Sequence, residues 1–329
     1  MDSRKRNALV AGLAAALLAA ALLAAAPLAS AAAYPAKPVR LIVPFPPGGS
    51  TDIVARIVVQ KFSEKLGGTV YIDNKGGASG MIGTAEAARA EPDGHTLLIV
   101  FDSHATNQHL YKNLKYDTIK SFDYITLMTV APVLLTTPKS FAPGSVQELV
   151  AYAKDKPGAL TYGSSGTGTS NHLNALSFAD RAGIKATHVP YKGGGPMTNA
   201  VVAGEVNYVV GTVGGLLPHV RSGALKPLAV GSKQRIPQLP DTPTVDEILP
   251  GYEANSWIGL VAPVGLPKDV LAKIHTAMTQ ALADPEVKDK LTSISFQVIG
   301  STPAAFLEKV RRDYEDMGKL IDSRGIKVE

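Results

Sequence analysis

Four short stretches of this chain combine glycine with serine, threonine or another small residue: Pro46–Asp52, Gly76–Gly80, Gly163–His172 and Tyr191–Pro196. The chemistry open to them is the holding of an anion. Glycine lets a ligand approach the peptide N–H closely, hydroxyls add donors, and a helix start supplies unpaired amides at the positive end of its dipole. The candidate ligand-binding residues are Phe45, Pro47, Gly48, Gly49, Ser50 and Asp52 in the first stretch and Ala78, Ser79 and Gly80 in the second. The third offers Ser164, Ser165, Gly166, Thr167, Gly168, Thr169 and His172, and the fourth Tyr191 and Lys192. Ser103, beyond a further strand, and Asn199, in the helix after the fourth stretch, complete the set. A hydrogen bond to a charged group nets about 1.5–3 kcal/mol, so six or so sum to around 10–15 kcal/mol. Association costs at least about 4 kcal/mol, which leaves micromolar capture, about −8 kcal/mol, within reach.

Individual residues admit two readings. Asp52 is a helix-start acid or a pocket residue that orients water. His172 donates to a carboxylate or serves in capping and packing. Lys192 is solvated or touches the ligand. Phe45 and Tyr191 are candidate apolar walls, and Trp257, the sole tryptophan, is core, hinge or pocket wall.

Catalysis finds no support. Gly163–Ser170 lacks the Gly-Lys-Ser/Thr ending of a phosphate loop. No Gly-x-Ser-x-Gly elbow occurs, and Asn171 stands where a dinucleotide fingerprint needs its third glycine. The seven histidines are scattered without ligand spacing. No cofactor, no metal and no enzyme activity are expected, although an exported hydrolase is the reading from another class.

The elements that must position these loops alternate between strand and helix, which argues for an α/β fold with mainly parallel sheets. Arg40–Leu66 reads as a buried strand, a Pro/Gly loop and an amphipathic helix with Ser50 or Thr51 as cap. Strands are expected at 70–72, 96–101, 159–162, 187–189, 206–210 and 225–230. Helices are expected at 81–90, 146–154, from Asn171 to Gly183, and at 268–283 and 303–324. Residues 102–107 and 236–250 read as loops. Tyr124–Thr137 is a long β-rich run with Pro132 in its middle, and proline is poorly tolerated inside a central strand. It is therefore expected to leave one sheet and enter another, and Ser256–Ala262 is the second candidate crossing. A discontinuous first domain (34–131 with 256–329) and a second domain (132–255) follow, with two loops from each facing across a cleft.

Residues 1–33 read as a cleavable signal peptide, with an uncleaved membrane anchor as the alternative: Arg4, Lys5 and Arg6, an Ala/Leu run from Ala8 to Leu28, then small-x-small cleavage sites ending at Ala31 or Ala33. The chain of 329 residues has no cysteine, which excludes disulfides, thiolate metal sites and a lipid anchor. Its formal charge is +5; without the three basic and one acidic residues of the signal it is +3. That balance is too mild and too evenly spread for a nucleic-acid protein. It suits a soluble exported protein with an anionic ligand.

From Tyr34 onward the sequence resembles the Bug family, the extracytoplasmic solute receptors of tripartite tricarboxylate transporters. The resemblance is carried by VPFPPGGSTDIVAR (43–56), NKGGASGMIGT (74–84), EPDGHTLL (91–98), LTYGSSGTGTSNHL (160–173), HVPYKGGGP (188–196), LPHVRSGALKPLAV (217–230) and PTVDE (243–247). It implies a type II periplasmic-binding-protein fold, with two doubly wound α/β domains joined by two crossing strands around a ligand cleft. It further implies a monomer that closes on a small carboxylate, partly through ordered water, and meets inner-membrane subunits similar to TctA and TctB. A sensor feeding a membrane signalling protein needs the same cleft. Where Asn199 and Asn207 stand, members often carry Asp. If Asn199 borders the pocket, a partner for a ligand amino group is missing, and the ligand is a plain carboxylate or aromatic acid rather than an amino acid.

Overall fold

The computed structural model describes residues 34–324; the signal expected over 1–33 lies outside them. From Lys37 onward the chain forms one compact unit, built on strands that run through two sheets. β1 (Val39–Val43), β2 (Val70–Asn74) and β3 (Thr96–Phe101) are parallel, with β1 in the middle. Between them lie α1 (Ser50–Leu66), a 3₁₀ turn at Ala78–Gly80 and α2 (Met81–Ala88). After β3 come α3 (Ser103–Leu110) and the 17-residue β4 (Phe122–Pro138).

β4 does what its proline foretold. Phe122–Pro132 pairs with β9 (Asn255–Pro263) in the first sheet, whereas Val133–Pro138 pairs with β7 (Tyr208–Thr212) and β8 (Leu225–Val230) in the second. The second sheet also holds β5 (Thr161–Ser164) and β6 (Thr187–Pro190). Its helices are α4 (Val146–Asp155), α5 (Ser170–Ala182), α6 (Gly194–Ala203), α7 (Val213–Arg221) and the short α8 (Val245–Ile248). The chain then returns through β9 to α9 (Lys268–Ala283), α10 (Pro285–Ser293), β10 (Gln297–Val298) and α11 (Pro303–Arg324).

The two sheets repeat one plan. The first runs β2-β1-β3-β9-β4 and the second β6-β5-β7-β4-β8. In each lobe the first strand of the run lies between the second and third, and the strand arriving from the other side comes next. This is the two-lobed type II periplasmic-binding-protein architecture. Strand order reverses between β1 and β3, and between β5 and β7, and ligands of open α/β sheets bind outside the carboxyl ends of strands at such points.

Apolar faces explain the packing. In the first lobe Ile42, Leu98, Val100, Trp257 and Val261 pack with Phe306 and Val310 of α11. In the second, Phe178 and Tyr208 anchor one core, while Val209, Leu216 and Leu217 belong to another. Gly259 is required by close approach, since a Cβ there would lie 2.0 Å from the Phe306 ring.

The elements depart from the sequence expectations in five places, one of them α8, a short helix inside 236–250 where a loop was expected. Residues 103–110 are helical although they read as loop. α7 was not foreseen, and neither were α10 and β10. β9 stays within the first sheet, pairing β3 and β4. The second crossing falls just before it, where Ala254 O accepts from Val133 N–H and Ala254 N–H donates to Gly231 O. Trp257 is core: buried against Phe306, it donates its indole N–H to Asp313 at 2.6 Å.

Candidate functional site

Loops at the strand ends feed helices, and the starts of α1, α5, α6 and α7, which follow β1, β5, β6 and β7, converge on one cavity. Its wall includes Gly48–Thr51 at the start of α1, Asn171 of α5, Gly194, Met197 and Thr198 of α6, and Thr212, Gly215 and Leu216 of α7. Phe45, Phe101 and Ser165 close it at the ends of β1, β3 and β5. The cavity volume is about 30 Å³, against the roughly 10–15 Å³ that one water needs, so the lobes must part to admit an organic acid.

The helix starts share a feature that matters chemically. The N-cap residues Gly49, Thr169, Gly193 and Thr212 make no side-chain cap hydrogen bond. Ser145, Thr244 and Asp284 cap α4, α8 and α10 with their own side chains away from the cavity, while α2, α3 and α9, also away from it, are uncapped like the cavity helices. The first-turn amides around the cavity are thus left for something else to satisfy. Among the described residues, no side chain of Asp, Glu, Lys, Arg or His lines it. Each helix end carries the equivalent of about +0.5 charge, so the site is positive without a cation that would need its own counter-ion.

The lobes meet directly around this space. Ser79 Oγ and Tyr111 Oη both donate to Thr167 O at 3.0 Å, and Thr106 Oγ1 donates to Gly168 O at 3.0 Å. The hydroxyls of Ser50 and Thr212 are in contact. Glycines allow close approach: a Cβ at Gly195 would lie 2.6 Å from the backbone Pro47 O, and one at Gly166 2.6 Å from the side-chain Ser79 Oγ. Gly166 also has φ +137°, a region L side chains rarely adopt.

Ionisable groups near the loops are structural braces. Asp52 is 3% exposed and accepts from Gly48 N–H at 3.0 Å, Arg56 Nε at 2.9 Å and Asn74 Nδ2 at 3.0 Å. Burial alone would raise its carboxyl, but these donors outweigh burial and hold it below the usual range. His172 Nδ1 accepts from Gly168 N–H at 3.1 Å and its ring stacks on His188 at 4.0 Å. Desolvation lowers His172 to about 4 and, with His172 beside it, His188 to about 3, so both are neutral at pH 7. Ser164 Oγ sits 2.6 Å from His188 Nε2. The pair holds the Ser164–Thr169 loop from beneath.

A sequence profile described as "Tripartite tricarboxylate transporter family receptor" matches residues 54–326. The chain belongs to this receptor family. Its Bug character is supported by Protein BugT of Bordetella pertussis, 33% identical over 276 residues, which cover 83% of this chain and 83% of BugT. Among solved structures, Rpa4515 of R. palustris with adipate is similar at TM-score 0.86 and 33% identity, covering 90% of this receptor and 100% of that chain. MatC of Rhodopseudomonas palustris with bound malate is similar at TM-score 0.83 and 31% identity, covering 88% and 100%. The family is one of solute-binding receptors rather than enzymes.

In this receptor the residues singled out from sequence fall into distinct places. Phe45, Gly48, Gly49, Ser50 and Ser165 line the cavity. Ser79, Gly80 and Ser103 line a smaller hollow that shares Phe45 and Phe101 with it. Pro47, Gly166, Thr167 and Gly168 make the contacts between lobes, Thr169 is the N-cap of α5, and Asp52, Ser164 and His172 brace the loops. Ala78 lies in the 3₁₀ turn at φ +47°. Tyr191 is half-buried, with its hydroxyl 3.2 Å from Glu205. Lys192 and Asn199 are exposed and outside the cavity wall. Asn207 accepts from Thr161 N–H at 2.7 Å, which ties β7 to β5. The residues missed are Thr51, Phe101, Asn171, Gly194, Met197, Thr198, Thr212, Gly215 and Leu216. A signal existed for Thr212 and Gly215: Gly211-Thr212-Val213-Gly214-Gly215 closes a strand in the same small-residue style as the other loops.

Proposed function

We propose that this chain is a monomeric receptor of the periplasm that closes on a small plain carboxylate and delivers it to membrane subunits of the tripartite tricarboxylate type. Residues 34–131 with 256–329 form one lobe and 132–255 the other, hinging where β4 passes Pro132 and where Ala254 leads into β9. The observation that carries the reading is the cavity itself, a small space between lobes with uncapped helix starts on both sides and, among the described residues, no charged side chain in its wall. Such a site repays the lost hydration of a carboxylate with several N–H and O–H donors. Adipate and malate in similar receptors agree with that chemistry.

Asn199 lies outside the cavity wall, so what bears on an amino-acid ligand is the wall itself. No carboxylate lines the wall, so an α-ammonium group would be buried without a counter-charge, which is costly. Malate, succinate and adipate are therefore the expected class, and aspartate and glutamate are excluded.

A thermal-shift screen of the chain without residues 1–33 tests this. A ligand at a hundredfold excess over its Kd adds about 2.7 kcal/mol, a shift of about 4 °C for a chain of this size. A shift with a non-amino acid and none with aspartate or glutamate is expected. A larger shift with aspartate, glutamate or an uncharged sugar would overturn the proposal.

A further inference from the structure

Beside the cleft mouth, the first lobe carries a second and larger concavity that the ligand site does not use. It is a groove of about 560 Å³ between α2 and residues 111–116, floored by Met81, Ala85, Leu114 and Tyr116, with Ile82 55% exposed on one wall. Lys112 and Lys115 stand exposed on the other wall, and neither has an ion-pair partner among the described residues. No acidic residue lines the groove.

Its walls are tied to the ligand state. Ser79 lies two residues before Met81, and Tyr111 is itself a lining residue. Both donate to Thr167 O of the opposite lobe, and their hydroxyls are 3.2 Å apart. One carbonyl of the second lobe therefore pins both sides of a groove in the first. When the lobes part, that carbonyl leaves and the walls lose their common tie.

We propose that this groove is a docking surface that reads cleft closure, and that its occupant is an extracytoplasmic segment of a membrane partner with apolar side chains flanked by Asp or Glu. The inference rests on the receptor reading above. The apolar floor supplies contact area, and the unpaired lysines supply the sign of the charge and steer the encounter.

The test uses two fluorescein-labelled peptides of identical apolar core, Asp-Glu-Leu-Ile-Leu-Glu-Asp and Lys-Arg-Leu-Ile-Leu-Arg-Lys, read by fluorescence anisotropy at low salt. The acidic peptide is expected to bind, and Lys112→Glu with Lys115→Glu to weaken it at least about tenfold. Ile82→Asp should act similarly. Tyr111→Phe, which removes one tie to Thr167 O, should weaken the peptide while the apolar floor remains. Whichever of malate or adipate shifts the melting temperature should tighten peptide binding. Equal binding of the two peptides, or indifference to the lysine reversals, overturns the proposal. So does a concentration-dependent dimer that the reversals disperse, since the groove would then belong to a second copy. If an acid shifts the melting temperature and the acidic peptide fails to bind, the groove falls alone; if the peptide binds and no acid does, the receptor reading falls.

Discussion

Gly195 tests the closure mechanism with one methyl group. It lies in the first turn of α6, and its backbone is not in the left-handed region. Alanine therefore suits the isolated lobe, where replacing a helical glycine gains about 0.5–1 kcal/mol. Across the cleft the situation reverses. The new Cβ would stand 2.6 Å from Pro47 O, about 0.8 Å inside the 3.4 Å at which ordinary contact begins. Both partners are backbone, so neither can swing away as a side chain could. The lobes must separate locally, and the nearest ties are the Ser50–Thr212 contact and the donors to Thr167 O and Gly168 O. Losing two such hydrogen bonds, with some loosening of the ligand's own, costs about 2–3 kcal/mol, or about 30- to 150-fold in Kd.

Isothermal calorimetry with the acid found by thermal shift measures the loss, and a ligand-free melt reads the lobe. The expected result for Gly195→Ala is weakened binding together with unchanged or slightly raised ligand-free stability. Gly49→Ala is the matched control: its Cβ would meet Gly194 at an ordinary 3.6 Å, so closure should survive. Wild-type affinity in Gly195→Ala would refute the claim that this closed arrangement is the ligand-holding state. A variant that simply melted earlier would refute the claim that the clash exists only between lobes.

Two further outcomes follow from the buried ionisable groups. His104 and His172 are held neutral by burial, each lowered to about 4 from an ordinary 6.5. A folded pKa below the unfolded one means that the unfolded chain binds protons first. Stability should then be level above pH 6.5 and fall toward pH 4, by up to about 1.4 kcal/mol per pH unit for each histidine; a flat urea midpoint between pH 7 and 4.5 would contradict it. Asp52→Asn removes the charge that Gly48, Arg56 and Asn74 surround and should cost about 2 kcal/mol in urea unfolding at pH 7. Since the folded pKa lies below the ordinary 3.8, that cost should vanish as pH falls through it. An equal cost at pH 7 and pH 2.5 would mean that packing, not charge, is what Asp52 supplies.

What could be read from the sequence, and what could not, follows from where the information sits along the chain. A strand–loop–helix unit is local, so apolar run, small-residue loop and periodic helix announced β1–α1 and β5–α5 without tertiary help. Pro132 was informative because its missing donor forbids an ordinary central strand, and the sheet change occurs there. α7 was hidden because Gly214, Gly215 and Pro218 are all poor helix residues. It forms anyway, since Val213, Leu216 and Leu217 are fully buried against the second sheet. α3 was hidden by its polarity: Ser103-His104-Ala105-Thr106-Asn107 shows no apolar stripe, yet those side chains are buried among groups of the first lobe and the cleft. Tertiary burial overrode local preference in both.

The site itself shows a finer limit. On α6 the cavity receives Gly194, Met197 and Thr198, and on α7 it receives Thr212, Gly215 and Leu216. Both sets have spacing i, i+3, i+4, so a single helix face in each case meets the cleft. Asn199 attracted notice as a position that often carries an acid, but it is one residue further round the helix, about 100° from Thr198, and faces solvent. The helix that carries Asn199 does border the cavity; its phase, set by Met197 packing beneath with Leu216 and Leu217, decides which side chain reaches it. The same holds between lobes, where Gly195 meets Pro47 O and Gly166 meets Ser79 at separations of more than eighty residues along the chain. No periodicity encodes such a meeting. It arises because two copies of one strand order place their switch points face to face, and the missing Cβ atoms at those points are what let the two backbones touch.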